Sequence, residues 1–203
     1  MRYLLTQSLI NSWQWAMDLG TDEKFEEFLT VLRREPVEQN EAMLKGIEFE
    51  NNVYEACRGL VRNPHPEWEN GIQKVAAIIN GSQFQVSGSV ALGIEGTEFL
   101  LYGIADAIRA GTIFDVKFST KSFGSAELAG KYLESPQHPA YLQIWQEAQR
   151  FVYVVSDGED VYTEEYTRRN TRRFWDVARE FWASIQALGL ENEYKKYWEA
   201  KEQ

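Results

Sequence analysis

Cysteine is almost absent from this chain: Cys57 stands alone among 203 residues. A single thiol excludes an intrachain disulfide, and it excludes an iron–sulfur cluster or zinc site built on four cysteines. Basic residues are also short, with 21 Lys and Arg against 31 Asp and Glu, a net charge of −10 and a sequence pI of about 4.8. That balance argues against a broad phosphate-binding surface, because nucleic-acid binders usually carry a basic footprint. No run reaches the roughly 18 apolar residues of a membrane span. The opening Met1-Arg2-Tyr3-Leu4-Leu5-Thr6-Gln7-Ser8 turns polar too early for a secretory signal, so the expectation is a cytoplasmic protein with no membrane partner. Repeats and low-complexity tracts are missing as well. Hydrophobic residues at 44% and charged residues at 26% describe an ordinary globular chain, long enough for one domain with a sizeable core.

What is present begins with Thr112-Ile113-Phe114-Asp115-Val116-Lys117-Phe118. Apolar residues fall on both faces, the pattern of a strand covered on both sides. Asp115 and Lys117 are two apart and share a face. Such charges rarely sit on a buried strand unless paired or bound to metal.

A second strand, Phe99 to Asp106, precedes it, and Arg109-Ala110-Gly111-Thr112 offers a tight turn between the two. With Ala110 and Gly111 as central turn residues, the register pairs 109 with 112, 108 with 113, 107 with 114 and 106 with 115. Asp106 and Asp115 then stand opposite on one face, where like charges destabilise a sheet. A divalent cation with hard oxygen ligands removes that penalty.

A third carboxylate lies upstream. From Asn40 to about Arg62, Met43, Ile47, Tyr54, Cys57 and Val61 form an apolar helical stripe, and its missing member is Glu50. Gly46, one turn earlier, leaves space beside it and costs roughly 1 kcal/mol of helix propensity relative to Ala.

Along the chain, helices are expected over residues 6–19, Asp22 to Arg33 with Thr21 as N-cap, Asn40 to Arg62, Glu67 to Asn80, 123–134, 137–149, 170–187 and 190–201. Strands are expected over Phe84–Ala91, Glu98–Ile108 and Thr112–Phe118, with a hairpin of Arg150–Ser156 and Val161–Thr167. The fold class is α/β, a central mixed sheet flanked by helices.

Glu on a helix, then Asp, then Asp-x-Lys on paired strands resembles the PD-(D/E)XK nuclease superfamily, with Glu50, Asp106, Asp115 and Lys117 in the matching positions. Gln137-His138-Pro139-Ala140-Tyr141 fits the Gln-x-x-x-Tyr signature of the RecB-like and phage lambda exonuclease-like branch, and Gln143 competes for the role of the glutamine. The resemblance covers about residues 46–155, within a single nuclease-like domain spanning 1–203 that has a helical segment 1–45 before it and the hairpin and helices of 150–203 after it. Residue 105 is Ala where many relatives have Pro, and the cluster cysteines of some relatives are absent.

The resemblance implies a restriction-endonuclease-like core and a metal-dependent deoxyribonuclease, favouring an exonuclease of recombination, repair or phage replication. Glu50, Asp106, Asp115 and the Val116 carbonyl would hold Mg²⁺ or Mn²⁺. Lys117 would orient water or neutralise the transition state, and Gln137 and Tyr141 would position water or substrate. DNA is the implied substrate, with a homo-oligomer or a phage recombination protein as further partners. Lys121, Lys131, Arg168, Arg169, Arg172 and Arg173 are the candidate phosphate contacts, a solvated helix start being the alternative for the arginines. His65 and His138 read as structural or surface residues, Cys57 as core, and the tryptophans as helix-face packing. Three readings stay open: the nuclease, a noncatalytic binding module on the same fold, and a hydrolase of a small phosphate ester. A Lys117–Asp106/Asp115 ion pair that merely ties down the sheet is the structural alternative.

Overall fold

A computed structural model describes residues 1–60, 65–123 and 128–201. Six strands form one mixed sheet: β1 Arg2–Thr6, β2 Gln83–Ile94, β3 Thr97–Arg109, β4 Thr112–Phe118, β5 Arg150–Ser156 and β6 Val161–Thr167. The order is β1-β3-β4-β5-β6, with β2 paired to the other edge of β3. β1 runs parallel to β3 and β4 parallel to β5, while the β2–β3, β3–β4 and β5–β6 pairs are antiparallel. Among the described residues, seven α-helices flank it: α1 Gln7–Leu19, α2 Asp22–Leu32, α3 Glu41–Cys57, α4 Glu69–Ile79, α5 Gln137–Ile144, α6 Phe174–Ala187 and α7 Glu191–Tyr197.

Each face of the sheet has its own core. On one face α1, α2, α5, α6 and α7 bury Leu9, Phe28, Phe181, Trp182 and Tyr194 against Leu5, Phe99, Leu101, Ile113 and Phe151. On the other, α3 and α4 bury Phe49, Val53, Val75 and Ile79 against Phe114, Val116 and Val154. β4 is therefore covered on both sides, as its apolar run requires. Gly88 and Gly103 stand opposite each other on β2 and β3. A Cβ on Gly88 would come within 2.7 Å of Ile144, and one on Gly103 within 2.9 Å of Tyr141. The two glycines thus let α5 lie flat on the hairpin.

Several boundaries differ from the sequence reading. β1 was not expected; its residues fell in the segment 1–45 expected to be helical, and only pairing with β3 makes them a strand. Thr6 then caps α1, as Thr21 and Asn40 cap α2 and α3. The helix expected over 123–134 is not found in residues 128–134, which form turns, and 124–127 lie outside the described residues. α5 stops at Ile144 rather than 149, because Arg168 Nη2 donates to the carbonyls of Leu142, Trp145, Gln146 and Ala148. The last two helices begin later, at Phe174 and Glu191, and the second ends at Tyr197.

The apolar stripe of α3 also needs correction. Met43 and Ile47 are exposed, and the buried side is Phe49, Asn52, Val53 and Tyr54. Leu44 is exposed as well, and among the described residues nothing lies within 4 Å of a Cβ built on Gly46. Val61 and Arg62 lie outside the described residues.

Candidate active site

β3 and β4 part company after a short pairing. Ala107, Ile108 and Arg109 pair with Phe114, Ile113 and Thr112, as the turn at Ala110 and Gly111 requires. The expected fourth pair, Asp106 with Asp115, is not formed. Instead Asp106 Oδ2 accepts a hydrogen bond from the Val116 N–H at 2.9 Å, so a carboxylate replaces the ladder where the strands splay. The β2–β3 ladder passes over the same point, leaving Gln85 and Asp106 unpaired between Phe84–Ala107 and Val86–Ala105. A strand residue presents its N–H and C=O to the same edge. The Val116 carbonyl therefore points into this fork with Asp106.

Asp115 comes from β4 on the α5 side and is 2% exposed. Gln137, the first residue of α5, donates from Nε2 to Asp115 Oδ1 at 2.5 Å. Lys117 Nζ lies 2.8 Å from Asp115 Oδ2, with its own side chain 38% exposed. That ion pair is close but poorly aimed, and Oδ2 accepts no well-directed hydrogen bond among the described residues. Tyr141, one turn into α5, donates its hydroxyl to the Ile104 carbonyl at 2.7 Å. Gln137 and Tyr141 thus brace β4 and β3 on either side of the fork. Gln137, rather than Gln143, reaches Asp115.

Glu50 approaches from α3. Its Oε1 accepts a short hydrogen bond from the Tyr54 hydroxyl and a 3.0 Å bond from Gln85 Nε2. Gln85 also donates to the Tyr54 oxygen at 2.9 Å, and Tyr54 lies 3.3 Å from the Asp106 carbonyl. Gln85 holds this position with φ of +51°, a left-handed conformation that costs a non-glycine residue roughly 1–2 kcal/mol. The sequence placed Tyr54 only in the apolar stripe, not in the site, and did not single out Gln85. The signal for Tyr54 was its place four residues after Glu50, on the same helix face; none existed for Gln85, which arrives from a distant strand.

The charges respond to one another. Burial, then the Asp115 and Glu50 charges, push the Asp106 carboxyl well above the usual range, against the Val116 hydrogen bond and Lys117. Burial also raises Glu50, opposed by the Tyr54 hydrogen bond, while Asp115 adds to the rise. For Lys117, burial favours the neutral amine, but Asp115 and Asp106 together outweigh it and the ammonium is held above its ordinary range. Three carboxylates therefore share one ammonium in a partly desolvated fork, and a further cation would relieve them.

Hard carboxylate oxygens, an under-bonded Asp115 Oδ2 and a carbonyl aimed into the fork fit Mg²⁺ or Mn²⁺. Among the described residues, no three His, Cys, Asp or Glu side chains are gathered closely enough to hold an ion as they stand. Glu50 is held by Tyr54 and Gln85 rather than turned to the aspartates.

The basic candidates lie differently. Arg168 is committed to the Leu142 carbonyl in α5 and to the Trp145, Gln146 and Ala148 carbonyls after it, and Arg172 and Arg173 pair with Glu180 and Asp176. Arg169 and Lys121 are exposed. Lys131 Nζ sits 5.6 Å from the Tyr132 ring centroid, and Tyr132 stacks on Tyr153 at 4.1 Å. His138 is not a surface residue: it is 1% exposed, stacked on Tyr166 at 3.9 Å, and within 3.3 Å of the Tyr153 hydroxyl. Burial pushes its imidazole down to about 4. His65 stacks on Trp68 and contacts Glu48 and Glu67, and Cys57 Sγ meets the Ala76 carbonyl at 3.7 Å.

No protein-family model matches the chain, and no curated protein matches it. The crystal structure of SSO0001 aligns with a TM-score of 0.55 and 13% identity, covering 92% of this chain and 77% of that one. The structure of LHK-Exo in complex with dAMP aligns with a TM-score of 0.47 and 14% identity, covering 95% and 90%. The likeness to SSO0001 is one of fold.

Proposed function

We propose that the chain is a metal-dependent nuclease of PD-(D/E)XK type, hydrolysing phosphodiester bonds in DNA, with exonuclease action favoured. One observation carries the reading. Asp106, Asp115 and Lys117 meet where β3 and β4 splay, with Glu50 brought to the same fork from α3. A fold has little reason to gather three carboxylates around one ammonium for stability alone, since each unbalanced buried charge is costly.

Asp106, Asp115 and the Val116 carbonyl would hold Mg²⁺ or Mn²⁺, with Glu50 completing the set. When bound, such an ion lowers the pKa of a water and offsets charge on the phosphate. Lys117, its side chain partly exposed beside Asp115, is placed to donate to a phosphate oxygen or to the attacking water. Gln137 holds Asp115 by Oδ1, which leaves Oδ2 for the fork. Tyr141 acts on the strand rather than on the substrate, bracing β3 two residues before Asp106.

The test is digestion of matched linear and covalently closed circular DNA by the purified chain, in Mg²⁺, in Mn²⁺ and in EDTA. Metal-dependent loss of the linear form, abolished in Asp115→Asn, is the expected result. Equal cutting of closed circles would make it an endonuclease. Absence of cleavage at every metal concentration, with metal bound, would favour a binding module or a small-ester hydrolase.

A further inference from the structure

Among the described residues, no helix packs on the outer face of the β1–β3–β2 part of the sheet. Register sets its side chains in rows: Arg2 with Glu98, Leu4 with Leu100 and Ala91, Thr6 with Tyr102 and Ser89, and Ile104 with Ser87. The alternate residues Tyr3, Leu5, Phe99 and Leu101 point the other way, into the core. Along the strip Ser87, Ser89, Ala91 and Ile104 are exposed, and Leu100 and Tyr102 half-buried. One end of the strip meets the candidate active site, where Gln85 reaches Glu50. The other end opens into a cleft of about 1260 Å³, walled by Arg2, Arg34, Lys196 and Lys201 together with Glu98 and Glu199.

Those four cations form no ion pair among the described residues. Arg34 lies against the Trp198 ring, its guanidinium 4.4 Å from the centroid, on backbone held at φ +57°. Lys196 Nζ donates to the Tyr197 hydroxyl at 3.1 Å and lies 4.6 Å from the centroid of that ring. In a chain of net charge −10, cations that form no ion pair among the described residues and are grouped around one cleft repel each other. Their arrangement complements a polyanion. Arg172 and Arg173, by contrast, are already neutralised by Glu180 and Asp176.

We infer that this strip is the path of a nucleic-acid strand running from the Asp106–Asp115 fork to phosphate contacts with Arg2, Arg34, Lys196 and Lys201. The inference rests on the nuclease reading for the direction of the strand. Half-buried Tyr102 and exposed Ile104 lie between the two ends, offering faces on which bases stack or rest. From Leu100 to Asp106 the path is six residues of β3, about 20 Å at 3.3 Å per residue. Duplex DNA spans that distance in about six base-pair steps. Substrates shorter than this do not reach the cations.

Two variant pairs, Arg34→Ala/Lys196→Ala and Arg2→Ala/Lys201→Ala, are compared with the parent and with a Lys24→Ala/Lys74→Ala control, whose cations pair with Glu27 and Asp160. Binding of a labelled 20-nucleotide strand and of the matching duplex is measured in EDTA across a salt series. Each pair is expected to weaken binding about tenfold. Two lost contacts make the log–log salt slope shallower by about 1.4 on a single strand or 1.8 on duplex. In Mn²⁺ the KM for the 20-mer rises with kcat unchanged, while hydrolysis of the p-nitrophenyl ester of thymidine 5′-phosphate, which cannot span the strip, stays at the parent rate. The control pair leaves all of these unchanged. Parent-like affinity and salt slope in both folded pairs, in a protein that cleaves DNA, would overturn the path and leave the nuclease reading standing. Salt-sensitive binding lost in the pairs, in a parent that never cleaves, would keep the path and remove the nuclease. A parent that neither binds nor cleaves would remove both.

Discussion

The Asp106 carboxylate takes the Val116 backbone N–H at 2.9 Å, so a side chain stands where the β3–β4 ladder would otherwise continue. This bond lets the strands separate without orphaning a buried donor, and it places a charge at the point of separation. Asp106→Asn keeps an oxygen acceptor for Val116 and removes the charge; Asp106→Ala removes both. An unsatisfied buried N–H costs about 1–3 kcal/mol. In EDTA, Asp106→Asn is therefore expected to melt at or above the parent temperature and Asp106→Ala below Asp106→Asn, with DNA cleavage lost in both. Equal melting of the two variants would mean that the hydrogen bond does not hold the fork.

Lys117→Ala should lower single-turnover cleavage by at least 100-fold at saturating Mn²⁺ while Mn²⁺ affinity stays level or improves. The ammonium 2.8 Å from Asp115 Oδ2 competes with a metal for that oxygen, so its removal does not weaken metal binding. Titrating the metal separately from the turnover measurement divides the two effects. A large drop in metal-free stability with unchanged turnover would make the pair structural.

Tyr54 and Gln85 both donate to Glu50 Oε1 and to no other carboxylate in the fork. Partners of this kind orient a ligand, and their loss typically costs 10–100-fold in metal affinity. Tyr54→Phe and Gln85→Ala are each expected to weaken Mn²⁺ binding about tenfold by calorimetry. In a Glu50→Gln background neither should have a further effect; full additivity there would detach them from Glu50.

His138 supplies the pH prediction. Burial pushes its pKa down to about 4, below the unfolded value near 6.5. Between those values the unfolded chain binds more protons than the folded one, so stability rises with pH across that window. The contribution is complete above about 6.5 and lost as pH falls toward 4, with a slope of at most about 1.4 kcal/mol per pH unit. His65 runs the other way, raised first by its hydrogen bond to Glu67, so the comparison is with His138→Phe. Denaturant midpoints at pH 4.5, 5.5 and 7 should show a flatter acid limb in the variant. Parallel curves would mean that His138 binds its proton equally well in the folded and unfolded chain.

The strands around the fork were legible in the sequence because their signals are local. β4 spans Thr112–Phe118, as its apolar run between turn residues implied, and the β5–β6 hairpin follows its own alternation. The three β3–β4 pairs follow from Ala110 and Gly111, whose φ values of +46° and +76° make the two-residue turn. The reasons for singling out Glu50, Asp106, Asp115 and Lys117 as candidates held only in part. Glu50 broke a stripe whose members Met43 and Ile47 turned out to be exposed, and Asp106 never meets Asp115 across a ladder.

What only the tertiary structure decided depends on groups far apart in the chain. β1 exists because Arg2–Thr6 finds Glu98–Tyr102, and five residues preceding a helix carry no periodicity of their own to announce a strand. α5 ends where Arg168 takes its carbonyls, an event more than twenty residues away in sequence. His138 is buried because β5 and β6 bring Tyr153 and Tyr166 to it, and Gln85 reaches Glu50 because β2 bends at a left-handed residue. Hydrophobic period and turn chemistry act over a few residues and can be read along the chain. A carboxylate's hydrogen-bond partners, a sheet face left uncovered and a helix cut short are set by which segments meet, and only the packed chain decides that.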